Sequence, residues 1–231
     1  MNKIAIIGTG YVGLVTGVGM AEFGNKVICS DIDKAKIDNL NSGIIPIYEP
    51  GLEELIKRNI KDNRLSFSWN IKDSILQSDV IVIAVGTPEG ENGQADMSFV
   101  YSVAKTISKN INDYKLVVTK STVPIGSGKK IVDLINKKLN DHKLFDYVSN
   151  PEFLREGSAI KDFLWPDRVI IGTDSEKAYE IMRHVYRPLY INKNPIMHTS
   201  IETAEMIKYA SNSFLALKIS YINEIANLCE A

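Results

Sequence analysis

The stretch KIAIIGTGYVG, residues 3–13, decides the fold of this chain. A short apolar run opens it, and Gly8, Gly10 and Gly13 follow in the spacing G-x-G-x-x-G before a helix-like segment. In this spacing the first glycine allows a tight turn, the second lets the backbone approach a pyrophosphate, and the third lets the helix pack closely on the strand. Free N–H groups at the helix start favour a phosphate. The stretch therefore predicts a dinucleotide-binding turn, the alternative being a glycine-rich packing turn.

An acidic residue supports the first of these interpretations. Asp31 follows Gly13 by 18 residues, at the end of the second apolar run. A carboxylate there accepts a hydrogen bond from a ribose 2′-hydroxyl. The same carboxylate repels the 2′-phosphate of NADP, so we expect a preference for NAD of about tenfold or more. Asp33 is predicted to be the N-cap of the next helix.

Outward from this turn, short Val- and Ile-rich segments alternate with helix-like segments. Strands are predicted at residues 3–7, 26–30, 79–85, 115–119, 147–149 and 168–172. Helices are predicted at residues 12–23, 34–42, 52–59, 97–110, 127–140 and 176–186. Continuous apolar strands are typical of a parallel sheet that is buried on both faces. The alternation predicts an α/β fold with a doubly wound, mostly parallel Rossmann-type sheet.

Residues 200–230 follow a different pattern. They contain no glycine or proline, and their apolar residues recur at helical spacing. A helix of this length would measure about 46 Å and exceeds the ordinary globular range. We therefore predict a dinucleotide-binding domain over residues 1–198 and a long connecting or dimerisation helix over residues 199–231. The lack of a stop signal in this helix leads us to expect further chain downstream.

The composition excludes several function classes. The chain has 231 residues, with 27 Lys and Arg against 28 Asp and Glu, and its net charge is −1. Such a balance gives no general attraction for nucleic acid or an anionic membrane, so neither is expected as a partner. Two cysteines and three scattered histidines predict neither a disulfide framework nor a metal site. No apolar run is long enough to span a membrane, and the strand-like start leaves no room for a signal peptide, so a cytoplasmic location is expected.

Polar stretches follow several of the predicted strands, where α/β proteins bind their ligands. They cover residues 85–88, 120–124 and 150–157. A further pair, Lys208 and Asn212, has the i,i+4 spacing of one helix face. The alternative interpretation of this pair is an ordinary solvent-exposed helix face. Glu152 and Glu156 share that spacing. The alternative to a functional role for them is a capped, solvent-facing helix start.

Together these stretches resemble the UDP-glucose/GDP-mannose dehydrogenase family over nearly the whole chain. The matching segments are GTGYVG at 8–13, GIIPIYEPGL at 43–52, KSTVPIGSG at 120–128, SNPEFLREGSAIKDFLWPDRVIIG at 149–172 and ETAEMIKYASNSFLALKISYINE at 202–224. The resemblance implies an enzyme that oxidises the C6 alcohol of a sugar nucleotide to a carboxylate, using two NAD. Asp167 and Arg168 resemble the UDP-glucose branch more than the GDP-mannose branch, which implies UDP-glucose as the substrate and UDP-glucuronate as the product.

The resemblance also implies the residues of each site. It assigns NAD binding to Gly8, Gly10, Tyr11, Val12, Gly13, Asp31, Lys36, Thr87, Thr122 and Glu156. It assigns the sugar nucleotide to Glu152, Phe153, Leu154, Arg155, Glu156, Lys208 and Asn212. Thr122 and Glu152 would position or deprotonate water, and Lys208 and Asn212 would stabilise an oxyanion. The chemistry suits these roles, because a fixed ammonium and amide stabilise developing negative charge and an ionised carboxylate activates water.

The chain departs from the family in one respect. The resemblance implies a nucleophilic cysteine in a glycine-rich segment beyond the long helix, and a second, UDP-binding domain. Cys29 is instead predicted to pack as a small hydrophobe, and Cys229 lacks glycine-rich neighbours. We therefore expect an N-terminal half that binds NAD, binds UDP-glucose poorly and gives little turnover to the acid. The resemblance further implies a homodimer through the long helix.

Alternatives to the leading hypothesis stay open. A dehydrogenase of the GDP-mannose type would use the same cofactor half. A non-catalytic NAD-binding or partner-docking module is favoured by the missing cysteine. A β-hydroxyacid-type dehydrogenase also joins a Rossmann domain to a long helix, but such an enzyme has no use for the paired glutamates in residues 150–162.

Overall fold

One sheet forms the middle layer of the molecule, and helices cover both of its faces. The computed structural model describes residues 2–91, 93–139, 144–192 and 196–231. The strands found there are β1 Lys3–Ile7, β2 Lys26–Ser30, β3 Leu65–Ser68, β4 Val80–Ile83, β5 Lys115–Thr119, β6 Phe145–Ser149, β7 Val169–Gly172 and β8 Ile196–Thr199. The α-helices are α1 Tyr11–Glu22, α2 Lys34–Asn41, α3 Leu52–Lys61, α4 Ile71–Gln77, α5 Ser98–Asn110, α6 Ser127–Asn136, α7 Ala159–Leu164, α8 Glu176–Val185 and α9 Ile201–Glu230, with a 3₁₀ helix at Arg187–Asn192.

The strand order confirms the predicted doubly wound sheet. Within the described residues the order is β3-β2-β1-β4-β5-β6-β7-β8. The first six strands are all parallel. β7 joins β6 in the antiparallel sense, and β8 is parallel to β7. Because the chain winds outward from β1 to β3 and then returns to β4, the order reverses between β1 and β4, which opens a ligand crevice at the carboxyl ends of these strands.

The core lies on both faces of the sheet, as the continuous apolar strands predicted. Ile4 and Ile6 face a cluster that includes residues of α1, α3, α7 and α8. Ala5 and Ile7 face a second cluster formed with α4, α5 and α6. Successive strand residues point to opposite faces, so each central strand contributes to both clusters. The sheet is thereby a rigid platform for the loops at its edge.

Several elements differ from the sequence prediction. β3, β8, α4 and α7 were not predicted, because the two strands lie at the edges of the sheet with mixed burial and the two helices are only seven and six residues long. The strand predicted at 79–85 is confined to Val80–Ile83. The helix predicted at 127–140 ends at Asn136, and Asn140 lies outside the described residues.

The long helix is present and leaves the body of the molecule. Ala204, Glu205 and Lys208 in its first turns are buried, whereas every residue from Asn212 onward is exposed. Its exposed apolar side chains are Met206, Phe214, Leu215, Leu217, Ile219, Tyr221, Ile222, Ile225 and Leu228. None of the helices in the described residues combines the length and the hydropathy of a membrane-spanning segment.

Candidate functional site

The turn between β1 and α1 has the geometry that its glycines predicted. Gly8 lies at φ +104°, a conformation that favours glycine. A Cβ atom on Gly13 would lie 1.9 Å from the Gly8 carbonyl oxygen, so only glycine allows this packing of helix on strand. A Cβ on Gly10 would meet nothing within 4 Å, and no described side chain caps the start of α1. The first N–H groups of α1 are therefore open to an anionic ligand.

Asp31 closes the crevice at the end of β2. One carboxylate oxygen accepts hydrogen bonds from the amide and the hydroxyl of Thr9, both at 2.8 Å, and the other accepts from the Asp33 amide at 3.1 Å. Lys36 Nζ lies 3.5 Å away. Partial burial opposes ionisation, but these hydrogen bonds and the Lys36 ammonium outweigh it and lower the pKa of Asp31. Asp31 is thus a fixed, ionised acceptor, and Asp33 caps α2 as predicted.

Two cavities of about 270 Å³ each follow one another along this edge of the sheet. The first is lined by Gly8, Gly10, Asp31, Lys36 and the apolar residues Ile32, Ile71, Phe99 and Val103, among others. The second is lined by Gly10, Tyr11, Val12, Gly86, Thr87, Lys120, Ser121, Thr122 and Glu152, among others. Gly10 and Gly86 belong to both, so the cavities adjoin. The Thr87 hydroxyl donates to the Thr122 carbonyl at 2.9 Å, which joins the loops after β4 and β5.

Glu152, which lines the second cavity, forms a largely buried ion pair with Lys208 of α9, which does not line the cavity itself. Lys208 Nζ is 2.8 Å from Glu152 Oε1, and the two side chains are only 8 % and 11 % exposed. The other Glu152 oxygen accepts from the Leu154 amide at 2.6 Å. The alternative of a capped, solvent-facing helix start is wrong for Glu152 and Glu156, because α7 begins only at Ala159. Glu156 is solvent-facing, whereas Glu152 is not. Glu152 is therefore held by Lys208 rather than by helical spacing.

A third cavity, also of about 270 Å³, opens on the other side of Glu152. Its lining includes Lys120, Asn150, Glu152, Phe153, Leu154, Arg155, Trp165, Arg168 and Tyr186. The Arg168 guanidinium stacks 4.3 Å from the centre of the Phe153 ring. Arg155 forms an ion pair with Asp162 at 2.7 Å. The third cavity thus combines aromatic surface with several cations, and Glu152 separates it from the second.

Comparison with known proteins decides the family. The NAD-binding domain of the UDP-glucose/GDP-mannose dehydrogenase family matches residues 2–190, and the central domain of the same family matches residues 202–231. The chain belongs to the UDP-glucose/GDP-mannose dehydrogenase family. Residues 2–190 are accordingly an NAD-binding domain, and the open turn at Gly10 together with the ionised Asp31 fits that cofactor.

Individual dehydrogenases of the family match over the whole chain. A UDP-glucose 6-dehydrogenase of Bacillus subtilis is 53 % identical over 100 % of this chain and 49 % of its own length. The structure of a UDP-glucose dehydrogenase from Pyrobaculum islandicum superposes with a TM-score of 0.93 at 40 % identity, over 97 % of this chain and 52 % of that one. A ternary complex of GDP-mannose dehydrogenase from Pseudomonas aeruginosa gives 0.92 at 37 % identity, over 96 % and 52 %. The chain spans about half the length of the relatives it matches.

Most of the residues assigned by resemblance to this family line the three cavities, but Gly13, Lys208, Asn212 and Glu156 do not. Gly13 packs against Gly8 and Lys208 binds Glu152, whereas the other two lie apart. Asn212 is exposed, one turn beyond Lys208 on α9. Glu156 is exposed in the loop before α7. The roles assigned to these two residues, like those of the other site residues, stay predictions. Cys29 is buried in β2, and burial raises the pKa of its thiol to about 12, which fits the predicted packing role.

The sequence analysis did not identify two buried glutamates, Glu49 and Glu205. Glu49 accepts hydrogen bonds from the Tyr11 hydroxyl and from the amides of Gly157 and Ala159, the latter two at 2.6 and 3.1 Å. It thereby ties the 152–157 loop to the start of α1. The sequence feature that could have identified Glu49 is its position in segment 43–52, which resembles the family.

The second missed glutamate, Glu205, lies in the first turns of α9. Its two oxygens accept from the Gly126 and Gly128 amides at 2.6 and 2.7 Å, at the start of α6. Burial raises the pKa of Glu205, although both hydrogen bonds oppose this shift. The sequence feature that could have identified Glu205 is a carboxylate three residues before Lys208, in a helix rich in apolar residues. One end of α9 therefore anchors the loops that carry both Thr122 and Glu152.

Proposed function

We propose that this chain is the cofactor-binding part of an NAD-dependent dehydrogenase that oxidises UDP-glucose to UDP-glucuronate. The observation that carries the proposal is the largely buried Lys208–Glu152 pair, in which Glu152 lines the cavity that begins at the glycine turn. A cation and a base held together beside the cofactor are what oxidation of an alcohol and hydrolysis of an acyl group require.

The cofactor site extends across the switch point of the sheet. The start of α1, with Gly8, Gly10, Tyr11, Val12 and Gly13, would hold the pyrophosphate, and Asp31 with Lys36 would hold the adenosine ribose. The second half of the dinucleotide would then lie over β4 and β5, beside Thr87 and Thr122. When bound, NAD supplies the acceptor for the hydride. We retain Glu156 in this site from the resemblance alone.

Lys208 and Glu152 would have separate roles in the proposed reaction. Transfer of a hydride from C6 to the cofactor and of the hydroxyl proton to a base would convert the alcohol to a carbonyl. Addition of a nucleophile, by resemblance the cysteine thiol expected beyond the long helix, would then place negative charge on the carbonyl oxygen. The Lys208 ammonium would stabilise that oxygen, which in a closed site is worth several kcal/mol. Asn212, on the next turn, would add an amide donor. Glu152, with Thr122, would position water and accept its proton in the hydrolytic step.

The third cavity is the proposed place for the sugar nucleotide. Phe153, Leu154 and Arg155 line it directly beyond Glu152. UDP-glucose is favoured over GDP-mannose because the Bacillus subtilis relative is 53 % identical and the GDP-mannose dehydrogenase 37 %. No observation in the described residues favours a non-catalytic module.

We further propose that the NAD-binding domain ends at residue 198 and the long helical segment begins at residue 199, as the sequence predicts. We also propose that α9 forms a homodimer. Phe214, Leu217, Tyr221, Ile225 and Leu228 follow a helical stripe and are 37–73 % exposed. A contiguous apolar stripe of this length is unfavourable in water unless it is covered. A second copy of the same helix offers a matching surface.

The substrate assignment can be tested on the NAD-loaded chain by saturation-transfer NMR, which detects weak binding. Glucose proton signals are expected with UDP-glucose, and the Glu152→Gln substitution should weaken them. Signals from GDP-mannose but not from UDP-glucose would favour a dehydrogenase of the GDP-mannose type. NAD binding without signals from either nucleotide sugar would overturn the assignment of the sugar nucleotide to the third cavity.

A further inference from the structure

Lys120 is a buried lysine for which the proposed mechanism gives no use. It follows β5 directly and is only 4 % exposed. Its ammonium lies 3.2 and 3.4 Å from the side-chain and main-chain oxygens of Asn150 and 3.4 Å from the Tyr186 hydroxyl. Within the described residues these partners are neutral. A buried ammonium with neutral partners is unfavourable for folding, so packing does not explain its presence.

Lys120 lines two of the cavities at once, as does one other residue. Among the described residues, Lys120 and Glu152 alone line both the second and the third cavity. In the proposed function the cofactor occupies the second cavity and the sugar nucleotide the third. Lys120 therefore lies where the two ligands meet.

The charges at this junction do not cancel. Glu152 and Lys208 form a pair that is neutral in sum. Lys120 adds a third charge, so the cluster carries a net charge of +1 while Lys120 is protonated. The ring of oxidised NAD is also positive, whereas the ring of NADH is uncharged. Two like charges near one low-dielectric cavity repel each other, and hydride acceptance removes one of them.

We propose that Lys120 makes this site favour the reduced over the oxidised form of the cofactor. This inference rests on the proposed function, because it requires NAD in the second cavity. Lys120 would thereby favour oxidation of the alcohol by destabilising the oxidised ring rather than by touching the substrate. It is an electrostatic positioning residue in this role, separate from Lys208.

The preference should depend on pH. Burial lowers the pKa of Lys120 to about 8, with Glu152 opposing and Lys208 assisting the shift. Burial also raises the pKa of Tyr186, which therefore stays protonated through this range. The charged groups farther along the third cavity are Arg155, Lys161, Asp162, Asp167 and Arg168. Loss of the Lys120 proton between pH 7 and 9 would remove the net charge and hence the preference.

Lys115 provides a matched control on the same strand. It is the first residue of β5, is also 4 % exposed, and donates to the Leu76 and Ser78 carbonyls at 3.3 and 2.7 Å. It lies at the opposite, amino edge of the sheet, away from the cavities. Lys115→Met thus removes a similarly buried charge from the same strand without changing the proposed site.

The test is to measure Kd for NAD and for NADH by calorimetry and NADH fluorescence, in the wild type, Lys120→Met and Lys115→Met. The ratio of Kd for NAD to Kd for NADH should fall roughly five- to thirtyfold in Lys120→Met at pH 7. It should be unchanged in Lys115→Met. In the wild type the ratio should fall between pH 7 and 9.5, and Lys120→Met should lack this dependence.

The outcomes separate this inference from the proposed function. If the wild type binds neither NAD nor NADH, the proposed function fails and this inference with it. If both bind but the ratio is the same in wild type and Lys120→Met, the inference alone is overturned. If Lys120→Met does not fold, a wild-type ratio that stays constant from pH 7 to 9.5 overturns it equally.

Discussion

Lys208 Nζ lies 2.8 Å from Glu152 Oε1, although the two residues are 56 positions apart in the chain. The contact joins the first turns of the long helix to the loop that follows β6. It brings a cation to the carboxylate that lines the second cavity, which begins at the glycine turn between β1 and α1. The pair is therefore both an anchor for α9 and the centre of the proposed chemistry.

Breaking this pair from one side should destabilise the protein. Lys208→Met leaves the Glu152 carboxylate buried without its counter-ion, which is expected to lower the free energy of unfolding by about 3–5 kcal/mol. The double variant Lys208→Met/Glu152→Gln should be less destabilised than Lys208→Met, because no uncompensated charge remains. Urea unfolding of the four proteins measures the coupling. Simple additivity of the two single substitutions would contradict a direct ion pair.

The carboxylate at Asp31 should set the choice between NAD and NADP. Asp31→Asn removes the charge that repels a 2′-phosphate, so the preference for NAD should shrink by about tenfold. Asp33→Asn is the control, since asparagine caps a helix as well as aspartate and Asp33 is exposed. Calorimetric Kd values for both cofactors are the measurement. An unchanged preference in Asp31→Asn would remove Asp31 from cofactor selection.

Two glycines in one turn should respond differently to alanine. A Cβ at Gly13 would overlap the Gly8 carbonyl, so Gly13→Ala should lower stability by several kcal/mol. A Cβ at Gly10 meets open space, so Gly10→Ala should change stability by about 1 kcal/mol or less. It should nevertheless weaken NAD binding, because the methyl group occupies the path of the pyrophosphate. Thermal unfolding and calorimetry distinguish the two effects. Normal NAD binding by Gly10→Ala would place the phosphates elsewhere.

Glu205 should report its protonation through the amides it binds. Because burial raises its pKa, the Gly126 and Gly128 amide resonances should titrate above the ordinary range of a glutamate. A raised carboxyl pKa means that the folded state binds the proton more tightly than the unfolded state. The Glu205 contribution to stability therefore falls as the pH rises from the unfolded toward the folded pKa. NMR titration measures both amides, and Glu205→Gln should abolish the shifts. Titration at an ordinary glutamate pKa would contradict the burial seen here.

The exposed half of α9 should carry the self-association. Leu217→Glu places a charge in the middle of the apolar stripe and should convert the proposed dimer to a monomer. Asn223→Glu also introduces a carboxylate but lies on the opposite face of α9, where the residue is exposed, and should have a much smaller effect. Light scattering after gel filtration gives the mass of each variant. A wild-type chain that stays monomeric at 100 μM, a concentration of the order used for such work, would refute dimerisation through this helix.

The elements that sequence predicted well are those set by local pattern. The central strands and the glycine turn follow from apolar runs and from backbone geometry, which neighbouring residues determine. The edge strands β3 and β8 escaped prediction because each has only four residues. Leu65 and Phe67 of β3 alternate with serines, but over a run at the lower limit for recognising a strand, and β8 shows no alternation in burial. The short helices α4 and α7 escaped because so few turns show no clear helical period.

The parts of the site that sequence missed depend on contacts between distant segments. Glu205 binds an amide 79 positions away, and Glu49 binds one 108 positions away. No local pattern shows that a glutamate in an apolar helix caps another helix. In the sequence Lys120 is only one residue of the polar stretch 120–124, because its burial and its place between two cavities follow from how the strands are ordered.

The most direct test of the account is calorimetric titration of the chain with NAD and, separately, with NADP. We predict binding of one NAD per chain, with a Kd for NADP that is about tenfold or more higher, because Asp31 is ionised at the ribose end of the crevice. Absence of NAD binding, or equal affinity for the two cofactors, would contradict the proposed cofactor site.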